Sequence, residues 1–94
     1  MNQEIRTLTV YNRKTKILEL VIEPHGEDYW LLPGEKVEVV VEITAPDFEF
    51  GVELYDENVV GVWLQRSFSH HVVLLGDQEI FCSHNRPQRN NSDD

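Results

Sequence analysis

The sequence predicts an all-β fold: a single antiparallel β-sandwich of about seven strands, with a small Greek-key barrel as the alternative arrangement. Three observations predict it. Lys36–Thr44 reads KVEVVVEIT, which puts Val37, Val39, Val41 and Ile43 on one face and Lys36, Glu38 and Glu42 on the other. A side-chain period of two belongs to a strand with one buried and one wetted face. The alternation returns in Ile17–Glu23 and Phe48–Tyr55, and no stretch carries the 3.6-residue period of an amphipathic helix. The connections are too short to hold a crossover helix, which favours antiparallel neighbours.

Each element follows from local chemistry. Ile5–Tyr11 is rich in Thr, Val, Ile and Tyr, which suit a pleated surface. Asn12–Lys16 is a polar turn, and Ile17–Glu23 follows as a hairpin partner with Leu18, Leu20 and Ile22 inward. Pro24 ends that strand, because proline has no N–H for a ladder. In residues 24–35, Pro24-His25-Gly26 turns out of one strand and Pro33-Gly34 turns into the next as a type II turn. Tyr29–Leu32 between them is expected to cross from one sheet to the other. Lys36–Thr44 and Phe48–Tyr55 are joined by Ala45-Pro46-Asp47. Val59–Leu64 and Val72–Leu75 are apolar on both faces, as central, covered or associating strands are. Gly76-Asp77-Gln78 turns into a last short strand, Glu79–Cys82. The expected core is Leu8, Val10, Leu18, Leu20, Ile22, Val37, Val39, Val41, Ile43, Phe50, Val52, Leu54 and Val72.

Ninety-four residues make one domain, and an apolar fraction of 40% is enough for a packed core. That domain spans 1–82. Residues 83–94, SHNRPQRNNSDD, hold no aliphatic or aromatic side chain and are expected to be a disordered polar tail. Eight Lys and Arg face 17 Asp and Glu, a net charge of −9, which repels the nucleic-acid backbone and anionic membrane surfaces. Cys82 is the single cysteine, so no internal disulfide forms; with no signal-peptide pattern at the N-terminus, a cytoplasmic location is expected. No apolar stretch approaches the roughly 20 residues of a membrane helix.

Candidate chemistry is sparse. His70 and His71 are adjacent in a strand and point to opposite faces. Cys82 and His84 share a side only if their strand continues. The blue-copper pattern of Cys, His and an axial Met is missing, since Met1 is the only methionine, and no CxxC pair suggests zinc. Glu19, Glu23, Glu38, Glu42, Glu49 and Glu53 fall on outward positions, where carboxylates form a wetted face that blocks edge-to-edge aggregation rather than an acid–base pair. Glu27-Asp28 and Asp56-Glu57 lack calcium-loop spacing. There is no Gly-x-Ser-x-Gly elbow and no phosphate loop. An enzyme is therefore not expected, nor a cofactor or a metal.

The segment Leu18–Val37, LELVIEPHGEDYWLLPGEKV, resembles one in small uncharacterised bacterial all-β proteins. In those a Leu/Val-rich strand leads to Glu-Pro-Trp-Gly-Glu, an aromatic residue and Leu-Pro-Pro-Gly-Glu before a valine-rich strand. Glu23–Glu27 and Leu32–Glu35 carry the match, with His25 where Trp is usual and Leu32 where the first Pro is usual. The resemblance implies a free-standing small β-sandwich and brings no activity or site residue with it.

The functional expectation is a non-enzymatic protein-binding or accessory module with an acidic face, meeting a protein partner. The alternative is a small ligand- or metal-binding sandwich. Candidate binding residues are His25, Glu27, Tyr29, Trp30 and Trp63. Trp63 lies on the second apolar face of its strand, which must be covered by the 24–35 segment or by another chain; a homodimer through the Trp63 region is the simplest symmetric cover.

Overall fold

Short polar corners decide where this chain changes sheet. The computed structural model describes residues 4–87, which form eight strands. They are β1 (Glu4–Tyr11), β2 (Leu18–Glu23), β3 (Glu27–Leu31), β4 (Lys36–Ile43), β5 (Glu49–Asp56), β6 (Val59–Gln65), β7 (Phe68–Leu75) and β8 (Gln78–Ile80). Two four-stranded sheets pack face to face, in the orders β1-β4-β7-β8 and β3-β2-β6-β5. The sandwich expected from the alternation is therefore the fold.

The connections differ from the expectation in an instructive way. β1 and β2 do not form a hairpin: β1 pairs with β4 and β2 lies in the other sheet. Asn12 makes that corner. It is buried, donates from Nδ2 to the carbonyls of Lys16 and Leu31, each at 2.9 Å, and accepts from the Lys14 amide at 3.0 Å. Its backbone also bonds to Glu35 and Gly34, so one side chain ties two crossings together. Conversely, residues 24–31 do not cross. Pro24–Gly26 closes a β2–β3 hairpin, and the crossing comes later, at the Leu32–Glu35 turn. There Glu35 donates to the Leu32 carbonyl and Gly34 takes φ +87°, the type II geometry that glycine allows without strain.

One pairing is parallel, against the expected antiparallel order: β2 runs alongside β6, with Ile22 opposite Val62. No helix is needed for the return, because β4 in the opposite sheet carries the chain back between β3 and β5.

The core lies between the sheets. Leu20, Ile22, Val39, Val41 and Val62 are completely buried, joined by Val37, Ile43, Tyr29, Leu31, Phe48, Val60, Leu64, Val73 and Ile80. Leu8, Val10, Leu18 and Phe50 pack at its margin. Three expected core residues are not in it. Val52 and Leu54 are 62% and 79% exposed, because β5 is the outermost strand of its sheet. In β7, Val73 opposite Val39 faces inward, so Val72 opposite Val40 faces out; a one-residue change of parity exchanges the two sides of a strand.

Residues 83–86, the first part of the segment expected to be a disordered tail, are bonded to the sheet. Ser83 donates its amide to the Asp28 carbonyl at 2.7 Å and the Trp30 amide donates to the His84 carbonyl at 2.8 Å, so residues 83–86 strap the free edge of β3. Backbone donors at an open strand edge offset the lack of apolar side chains. Residues 88–94 lie outside the described part of the chain. No helix among the described residues is long and apolar enough to cross a membrane.

Candidate functional site

β3 sorts the candidate residues onto two sides of its sheet. Tyr29 and Leu31 point between the sheets with Glu27, while Asp28 and Trp30 take the opposite parity. Glu27 accepts from the Tyr29 hydroxyl at 2.9 Å and meets His71 Nε2 from β7 at 3.0 Å, which clamps one sheet to the other. The His25 ring lies 5.2 Å from that of His71 and 6.1 Å from that of Phe68. These groups line a cleft of about 520 Å³ that opens between β3 and β7–β8 and reaches Cys82.

The electrostatics follow from burial and partners. Burial pushes the Glu27 carboxyl up, but the hydrogen bonds from His71 and Tyr29 outweigh it and leave Glu27 below the ordinary value. Burial raises the Tyr29 phenol, and its bond to Glu27 raises it further. A carboxylate–imidazole pair can move a proton, yet among the described residues no hydroxyl or thiol is hydrogen-bonded to His71 or His25 to act as nucleophile. Nor are three or more His, Cys, Asp or Glu arranged there to hold a metal ion.

Asp28 is the anchor of the strap. Arg86 reaches it with two nitrogens, Nε at 2.7 Å, while Trp30 Nε1 donates at 2.8 Å and Cys82 Sγ lies 3.5 Å away. The Arg86 hydrogen bonds hold the Asp28 carboxyl well below the usual carboxylate range despite its burial. Nε2 of His84 is buried with no partner.

The outer face of the second sheet is a separate feature. Register places Trp30 beside Glu19, Glu19 beside Val59, and Glu23 beside Trp63. Across β5, Trp63 faces Gly51 and donates from Nε1 to Glu53 Oε1 at 3.0 Å. Tyr55 lies over Gly61 and donates to Glu23 Oε2 at 2.7 Å. Desolvation, then the nearby Asp28, pushes Glu19 up, with Arg86 opposing.

The structure thus brings His25, Glu27 and Tyr29 together, and places Trp30 and Trp63 on the far side of the same sheet. The 24–35 segment does not cover Trp63, because β3 lies in the plane of β6; Glu53 and Tyr55 flank it instead. The sequence does not single out His71, Asp28, Tyr55 or Arg86 as site residues. Gly61 was the signal for Tyr55: a bare backbone position beside a strand partner leaves room for a ring. Nothing in a polar tail pointed to Arg86. No protein-family model matches the chain, and no curated protein or solved structure is significantly similar to it.

Proposed function

We propose that the chain is a non-enzymatic protein-binding module whose second sheet presents its outer face to a basic segment of a partner protein. One observation carries this reading: Trp30, Tyr55 and Trp63 share that face with Glu19, Glu23 and Glu53. Aromatic faces attract Lys and Arg through their quadrupoles, and flanking carboxylates add charge-assisted hydrogen bonds. The bonds of Trp63 to Glu53 and of Tyr55 to Glu23 fix ring and carboxylate together, which lowers the entropy lost on binding. The net charge of −9 supports a basic protein over nucleic acid or an anionic membrane, and the single cysteine fits a cytoplasmic setting.

Titration with a lysine- and arginine-rich peptide, read by tryptophan fluorescence and calorimetry, tests it. Binding should weaken on Trp63→Ser and with added salt. Unchanged affinity in Trp63→Ser, at unchanged stability, removes the face from consideration. A second reading, a small-ligand site, is favoured by the cleft between β3 and β7–β8, and chemical-shift changes confined to His25 and His71 would identify it.

A further inference from the structure

The two edges of the second sheet are treated differently. The β3 edge is occupied by Ser83 and His84. β5 pairs with β6 alone, and its other edge has no partner among the described residues. The side chains of β5 also divide by chemistry. Val52 and Leu54 lie on the inner side, 62% and 79% exposed. Glu53 and Tyr55 lie on the outer side, next to Trp63. An open edge bearing exposed apolar side chains invites another strand, and natural sheets usually block such an edge.

We propose that β5 receives an extended segment of a partner protein as an added strand in which apolar and basic residues alternate. This deepens the reading of the outer face and rests on it. Period-two geometry sends alternate side chains of an added strand to opposite sides. One set covers Val52 and Leu54; the other, lysine or arginine, lies over Glu53, Tyr55 and Trp63. Backbone hydrogen bonds to β5 supply affinity, and the alternation supplies selectivity. Charge argues against a second copy as the occupant. Its β5 would bring Glu49, Glu53 and Asp56 to an edge that already carries the same three, and each chain has a net charge of −9.

The test uses the full chain and peptides, measured by calorimetry. One heptapeptide alternates valine and lysine; a second has the same composition with its lysines contiguous. Two further alternating peptides are N-methylated, one at the valine and one at the lysine nitrogens. The alternating peptide should bind at least about tenfold more tightly than the contiguous one, and one methylated set but not the other should lose about that factor, the size expected for two or three lost hydrogen bonds. Leu54→Ser, at an already exposed site, should weaken only the alternating peptide. Equal affinity for all four peptides overturns strand addition and leaves the acidic aromatic face standing. Binding by none overturns both. A micromolar dimer of the chain alone that Leu54→Ser dissociates overturns the proposal in favour of a second copy.

Discussion

The ring of Tyr55 occupies the space where a side chain at Gly61 would stand: a Cβ on Gly61 would lie 2.6 Å from the Tyr55 hydroxyl. Two strands of one sheet thus share a single side-chain volume, and the ring is held from above by Glu23.

Gly61→Ala should displace Tyr55 without unfolding the chain. The contact is with the far end of a half-exposed side chain that can swing away, and alanine reduces the entropy of the unfolded chain. Stability should change by less than about 1 kcal/mol. The Tyr55 ring resonances should move to solvent-like positions and the basic peptide should bind more weakly. A loss of several kcal/mol would mean that the ring is wedged rather than resting.

Acid should weaken the fold through Asp28 and Glu27. Both carboxyls sit below their ordinary values of 3.8 and 4.5 in the folded chain. The unfolded chain therefore binds more protons over the interval between folded and unfolded values, and stability rises with pH there. Their contribution is complete above the ordinary values and is lost as pH falls through the folded ones. Urea midpoints of wild type and Asp28→Asn should differ most near about pH 7, and the gap should narrow as pH falls below 3.8, the ordinary value of the aspartate. A constant gap across that range would show that Asp28 acts through shape alone.

Removing the chain from Ser83 onward should lower the melting temperature by several degrees, since about 1 kcal/mol corresponds to roughly 4–8 °C in a domain of this size. The strap's two backbone bonds to β3 and the Arg86–Asp28 pair are lost together. Arg86→Ala should reproduce only part of the effect, because the Trp30 indole still reaches Asp28. An unchanged melting temperature on truncation would show that the strap adds nothing to the fold.

Aspartate substitutions should grade the two sides of the strands. Val39→Asp places an unpaired carboxylate at a completely buried position and should cost several kcal/mol. Val40→Asp, on the outer side, should cost much less. Val52→Asp should cost least, within about 0.5 kcal/mol, because its side chain is already 62% exposed. Denaturant midpoints in any other order would reassign the inner face of β4 or β5.

Alternation made strands and their sides legible; it did not tell what covers a side. Val37, Val39 and Val41 read as core and are core, because β4 has a neighbour on each edge and a sheet above it. Phe50, Val52 and Leu54 carry the same pattern, yet only Phe50 packs against the core. Whether a strand is central or outermost depends on pairings tens of residues away, which local periodicity does not encode. For the same reason the turn at Asn12 read as a hairpin: its polar residues suit any corner, and the partners that make it a crossing, Leu31 and Glu35, come later in the chain. His25, Glu27 and Tyr29 were found as polar and aromatic residues in a turn-rich segment. Their partner His71 stands 44 residues beyond Glu27 in the chain, and no local pattern links the two.

The parallel alliance of β2 with β6 also sets a schedule for folding. β2 meets β3 early across a tight turn, but its other neighbour lies beyond β3, β4 and β5 in the chain. β1 likewise waits for β4, and β4 for β7. On a ribosome, the second sheet is not complete until β6 ends at Gln65, and the first not until β8 ends at Ile80. Leu20, Ile22, Val39 and Val41 stay without their final cover until then. Loop-closure entropy is lost before these distant pairings form, which makes for slow folding and a long exposure of apolar strands. Apolar strands left exposed in a partly folded chain are the surfaces through which such chains aggregate.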